Sequence, residues 1–140
     1  MESQPQLTHI ALRTTDLQRS VAFYGTYAGL VVAHEREEDG TRVVWLAERA
    51  EDPDFVFVLI PMAHSGHERP GVHHFGFAVA SRADVDAIAA TARADGILRE
   101  GPRDGGPVVG YFCIVDDPDR NWVEFSFGQP INPRELPPRP

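Results

Sequence analysis

A chain of 140 residues suits one compact domain or two small modules sharing a core, and 42% hydrophobic with 24% charged residues excludes a disordered or collagen-like polymer. Thirteen Arg and no Lys against 21 Asp and Glu give a net charge of −8, which argues against nucleic acid or an anionic membrane as partner. The single cysteine, Cys113, excludes an intrachain disulfide and fits a reducing compartment. No apolar run approaches the ~18 residues of a membrane span, and Met1-Glu2-Ser3-Gln4 does not open a basic-then-apolar leader, so the expected location is the cytoplasm.

Leu7–Arg13 reads as a strand. Asp16 is placed to cap a helix in which Leu17, Val21, Tyr24 and Ala28 recur at helical spacing over Leu17–Tyr27, with Gly29 as the stop. Val31–Arg36 and Thr41–Ala47 form a predicted hairpin around Asp39-Gly40, and Phe55–Ile60 is a short apolar strand. Residues 61–70 carry Pro, Gly, Ser and two histidines and read as a linker.

The pattern then begins again. Val72–Val79 is a strand, and Ser81-Arg82-Ala83-Asp84 fits a capping box for a helix striped by Val85, Ile88, Ala89 and Ala92 and stopped at Gly96. A short strand near Ile97–Glu100, a Gly/Pro loop over Gly101–Pro107, and strands at Val108–Val115 and Trp122–Phe127 follow. The tail from Pro130, with five prolines in eleven residues, should run over the surface or into a partner. The order is βαβββ, linker, βαβββ: a single domain over 1–140, with module 1 at about 7–60, module 2 at about 71–128, and a Pro-rich tail over 129–140. The expected class is α+β, two paired βαβββ modules forming a cupped, mostly antiparallel sheet, since neither module can bury its sheet alone.

Strand alternation then sorts the side chains. His9 shares a face with Leu7 and Ala11, His74 with Val72, Gly76 and Ala78, and Glu124 with Trp122 and Ser126. The opposite faces hold the bulkier apolar groups a helix must cover, such as Phe75, Phe77, Val123 and Phe125. Two imidazoles and one carboxylate beside small neighbours suit one divalent metal with open positions, because a buried Glu is costly unless paired or metal-bound. The alternative at this level is a core pair of histidines and a salt-bridged glutamate. His9 and His74 lie 65 positions apart, and the same offset, within a residue, carries Glu124 back to Val58 or Leu59.

Thr8-His9-Ile10-Ala11-Leu12, then Asp16-Leu17 and Ser20-Val21-Ala22-Phe23-Tyr24, resemble the opening of the glyoxalase/bleomycin-resistance/extradiol-dioxygenase superfamily, also called the vicinal oxygen chelate superfamily. Gly71-Val72-His73-His74-Phe75-Gly76-Phe77 resembles the start of its second half, and Asp117-Pro118-Asp119-Arg120-Asn121-Trp122-Val123-Glu124-Phe125 its closing turn and strand. The resemblance covers roughly Leu7 to Gly128. It implies paired modules around one divalent metal (iron, manganese, zinc or nickel), held by His9, His74 and Glu124. It implies a homodimer, and a small substrate chelated through two adjacent oxygens and activated by Lewis-acid chemistry.

Two departures shape the expectation. Glyoxalase I and methylmalonyl-CoA epimerase bring a fourth ligand from the first half, where this chain has Phe57-Val58-Leu59; extradiol dioxygenases carry Tyr ten positions before the Glu, where this chain has Ile114, with Tyr111 nearby. Arg120 stands where the family's turn has glycine, which implies an unusual backbone there. The leading expectation is a glyoxalase-like lyase or isomerase, with Glu124 as catalytic base and Tyr111 as a substrate-binding catalytic group if its face is the cavity side. An extradiol-type dioxygenase and an antibiotic-binding resistance protein are the alternatives. His73, His64, His67 and His34 read as packed or solvated, and Cys113 as a small core residue. Trp122 could wall the cavity and Arg13 could receive an anionic group at its mouth; for the phosphonate-binding basic cluster that fosfomycin-type members of the family carry, Arg99 and Arg103 are only loose candidates.

Overall fold

The structure is a computed structural model that describes residues 9–38, 40–63, 74–130 and 133–136. The chain divides into two compact units, Met1–Glu68 and Arg69–Pro140. Each holds one open four-stranded mixed sheet and one long helix, so the fold is α+β and built from a repeated βαβββ module.

In the first unit the elements are β1 (His9–Thr14), α1 (Leu17–Ala28), β2 (Val31–Glu38), β3 (Thr41–Ala47) and β4 (Val56–Pro61), with sheet order β1-β4-β3-β2. The local signals act as expected. Asp16 accepts from the Arg19 amide at 3.1 Å, and Gly29 ends α1 in the left-handed region at φ 69°. β1 pairs parallel with β4 and the other pairs are antiparallel. One face of the sheet carries Leu12, Val44, Leu46 and Leu59, all at most 4% exposed. Helix α1 covers that face: Tyr24, fully buried, stacks on Phe57 with ring centroids 6.0 Å apart.

The second unit repeats the plan with β5 (Phe75–Ala78), α2 (Arg82–Ala94), β6 (Leu98–Asp104), β7 (Tyr111–Asp116) and β8 (Trp122–Phe127), in the order β5-β8-β7-β6. The Ser81 hydroxyl accepts from the Asp84 amide at 3.1 Å, as a cap should. Helix α2 buries Val85, Ala89 and Ala92. Among the sheet residues, Cys113, Val115, Val123 and Phe125 are buried to 1% or less. Removing these apolar groups from water supplies most of the stabilisation, about 25 cal/mol per Å².

Two sequence expectations are corrected here. The predicted loop over Gly101–Pro107 is in its first half strand: β6 runs to Asp104, with irregularities between Leu98 and Glu100 and between Glu100 and Arg103 that absorb Gly101-Pro102 before Arg103 pairs with Phe112. A proline is tolerated there because β6 is the sheet edge. Conversely, the predicted strand from Val108 begins only at Tyr111, because Gly105 donates to the Gly110 carbonyl at 2.7 Å and Gly110 to Gly106 at 2.8 Å. These bonds draw Val108 and Val109 into a tight loop. No helix among the described residues is long and apolar enough to cross a membrane.

Candidate metal centre

Glu124 owes its position to the turn before it. The buried Asp117 carboxylate accepts from the amides of Asp119 and Asn121, each at 2.8 Å, and from the Asn121 side-chain amide at 2.7 Å. Arg120 closes the turn at φ 63°, a left-handed conformation that costs a residue with a Cβ. The chain is thereby delivered into β8 in a fixed register: Gly76 pairs with Glu124 and Ala78 with Ser126 across the parallel β5–β8 ladder, and Ile114 pairs with Glu124 across β7–β8.

That register fixes the faces. Glu124, Trp122, Ser126, Ile114, Phe112 and Gly76 lie on one side of the sheet; Phe75, Phe77, Val123, Phe125, Cys113 and Tyr111 lie on the side that α2 covers. His74 lies next to β5, two residues before Gly76, and is exposed. Of the expected ligands, the ladder fixes the face of Glu124, and His74 lies just outside the residues it aligns.

Glu124 is 7% exposed. Its Oε2 accepts from the Gln129 side-chain amide at 3.4 Å, and no cation among the described residues lies within ion-pair distance. Gln129 also donates to the Val109 carbonyl at 3.1 Å, so it ties the carboxylate to the loop before β7. A Cβ on residue 76 would stand 3.1 Å from Oε2, so the glycine makes the seat for this carboxylate. A buried carboxylate without a cationic partner is costly, and a bound cation relieves that cost. The residues present fit a divalent ion.

His9 opens β1 of the first unit in register with Val56; its side chain lies outside the described residues, as do His64, His67 and His73. In the first unit Ala11 pairs with Val58 as Gly76 pairs with Glu124 in the second. The repeat therefore sets Val58, not Leu59, at the position of Glu124, and the first module offers no carboxylate there. Among the described residues no three His, Cys, Asp or Glu side chains form a metal-holding group.

Tyr111 is not brought to Glu124. It lies on the α2 side of the sheet, where its hydroxyl donates to Asp86 and the Arg82 guanidinium sits 4.7 Å from its ring. The hydrogen bond to Asp86 raises the Tyr111 hydroxyl above its ordinary pKa. The expected catalytic use of Tyr111 required its face to be the cavity side; the pairing of Ile114, three residues on, with Glu124 puts Tyr111 on the opposite face. Cys113 is buried on that same α2 side, and burial pushes its thiol up to about 11, which rules out a ready nucleophile. Sequence reasoning missed Gln129, because a residue just past the last strand carries no periodicity that ties it to Glu124.

The comparisons agree with this architecture. "Uncharacterized protein PA2024" of Pseudomonas aeruginosa is 45% identical over 133 residues, covering 92% of this chain and 93% of that protein. The trypanothione-dependent glyoxalase I of Leishmania major superposes with a TM-score of 0.70 at 21% identity, covering 89% of this chain and 88% of that one. A variant of the fosfomycin resistance protein FosX from Listeria monocytogenes, solved with Mn(II) and 1S,2S-dihydroxypropylphosphonic acid, superposes with a TM-score of 0.71 at 18% identity, covering 94% of this chain and 98% of that one. At these identities the two structures share the fold. With its βαβββ repeat, and with a family model matching residues 6–125, the chain belongs to the Glyoxalase/Bleomycin resistance protein/Dioxygenase superfamily.

Proposed function

We propose that this protein is a metal-dependent enzyme of the glyoxalase-like kind, carrying out lyase- or isomerase-type chemistry on a small substrate that presents two adjacent oxygens. Its ion is held by His9, His74 and Glu124. The observation that carries the reading is the seat of Glu124: a buried carboxylate, facing Gly76 in register, with a glutamine amide as its hydrogen-bond partner and no cation within ion-pair distance among the described residues.

When bound, a divalent ion in this three-donor set supplies Lewis acidity toward the substrate oxygens and leaves open positions for them. The chain's own residues do the rest. Gln129 holds Oε2 and so fixes the carboxylate's orientation. Phe112, Ile114 and Trp122 present apolar surface around Glu124 and limit water there. Glu124 is the buried base on this face and takes the proton transfer. Val58, in place of a fourth donor, separates this site from the four-ligand relatives. Ile114 opposite Glu124, with Tyr111 on the far face, removes the tyrosine that would favour ring-cleaving dioxygenase chemistry. The lone buried thiol of Cys113 fits a cytoplasmic enzyme, and a homodimer completes the reading.

Elemental analysis of purified protein tests it. Iron, manganese, zinc or nickel near one per chain in the wild type, lost in His74→Ala and in Glu124→Ala, is expected. Wild-type protein that stays metal-free after reconstitution would sink the enzyme reading and leave a ligand-binding protein on the same fold.

A further inference from the structure

Gln129 stands where two parts of the second unit meet. Its side-chain nitrogen donates to the Val109 carbonyl at 3.1 Å and to Glu124 Oε2 at 3.4 Å. A primary amide carries two N–H bonds, so it serves both acceptors at once. The lengths rank them. The bond to Val109 is ordinary and anchors the amide, whereas the bond to Oε2 is long and aligns the oxygen without tying up its charge. Among the described residues no other hydrogen bond reaches the Glu124 side chain, so Oε1 is left without a donor.

The loop from Gly105 to Gly110, which carries Val109, is held at its other end. Asp104 Oδ1 accepts from the Gly106 amide at 2.9 Å, and Asp104 Oδ2 accepts from Nη2 of Arg82, at the start of α2, at 2.8 Å. Asp104 pairs with Tyr111, so its side chain lies on the α2 side of the sheet, away from Glu124. Where the loop joins β7 it lies against the segment that carries Gln129: a Cβ at Gly110 would stand 2.6 Å from the Phe127 carbonyl oxygen and 2.8 Å from the Gln129 backbone nitrogen. A continuous set of contacts thus runs from Arg82 and Asp104, through the loop and Val109, to Gln129 and Glu124 on the opposite face.

We propose that Gln129 is a positioning residue that joins this loop to the metal centre. It holds Oε2, leaves Oε1 as the oxygen that meets the ion, and passes the setting of the loop, fixed by Asp104 and Arg82, on to the ligand. The inference rests on the metal reading above, since it concerns how Glu124 serves the ion. Loosening the loop on the α2 side then weakens the metal centre without touching it, and does so only through Gln129.

Calorimetric titration with Mn2+ and EPR of the bound ion test this. Gln129→Met keeps the length of the side chain and removes its donor. It is expected to weaken Mn2+ binding about ten-fold, the usual cost of losing a partner of a ligand. It should also change the zero-field splitting of bound Mn2+, as Oε2 is released, and leave the metal-free melting temperature where it was; these two readouts separate positioning from folding. Gln129→Asn keeps the amide but falls one methylene short, and should lose affinity likewise. Asp104→Ala is expected to weaken Mn2+ binding about three-fold in the wild type and not at all in Gln129→Met, because linked residues are not additive. Wild-type affinity and spectrum in both Gln129 variants, or an effect of Asp104→Ala that is the same with and without Gln129, overturns the inference while leaving the metal reading in place. Wild-type protein that takes up no Mn2+ after reconstitution overturns the metal reading, and this inference with it.

Discussion

Gly76 and Glu124 face each other across the parallel β5–β8 pair, and the glycine's missing Cβ is what gives the carboxylate its room. A methyl group at residue 76 would lie 3.1 Å from Oε2 and 3.3 Å from the Glu124 Cβ. Gly76→Ala is therefore expected to leave the circular dichroism spectrum unchanged and to weaken Mn2+ binding by about ten-fold, the usual cost of disturbing the surroundings of a ligand. Unchanged Mn2+ affinity would show that the carboxylate is not a ligand in this orientation.

Among the described residues no cation stands within ion-pair distance of Glu124. In metal-free protein, Glu124→Gln removes an uncompensated buried charge and is expected to stabilise the fold by about 1 kcal/mol, a rise of roughly 3 °C in Tm. Saturating Mn2+ should reverse the order, raising the Tm of the wild type and leaving the variant's unchanged. A metal-free variant that melts well below the wild type would instead point to a carboxylate paired within the protein.

Arg120 sits at φ 63° in the turn organised by Asp117. Glycine adopts this conformation without a Cβ clash, so Arg120→Gly is expected to gain about 1 kcal/mol in urea unfolding with Mn2+ affinity unaltered. Loss of stability would mean that the arginine side chain contributes more than its backbone costs.

The buried Cys113 thiol, pushed up to about 11 by burial first and by Glu124 second, gives the protein an alkaline weakness. Its folded value lies above its unfolded one, so the stability it contributes is complete below pH 9 and is lost as pH rises toward about 11. The wild type should lose more unfolding free energy than Cys113→Ala between about pH 8 and about pH 10.5. At neutral pH the native thiol should resist alkylation until the protein unfolds. Equal pH dependence in the two proteins would refute this.

The sequence by itself determined what local chemistry controls. Asp16 and Ser81 announced their helices because a side-chain oxygen three residues ahead of an amide is a local arrangement. The period-two alternation placed Glu124 opposite the face that holds Val123 and Phe125, and the offset of the two modules exposed the repeat and brought Val58 to within one residue of Glu124's counterpart. Only the tertiary structure decided register and long-range contact. The pairing of Ala11 with Val58 and of Gly76 with Glu124 chose Val58 over Leu59, and the pairing of Ile114 with Glu124 took Tyr111 away from the site. The hold of Gln129 on Glu124 and the seat of Arg99 on Trp122 likewise join residues on different segments. Strands far apart in the chain settle their alignment through packing of the whole sheet against its helix, and a one-residue slip would turn every one of these side chains to the other face.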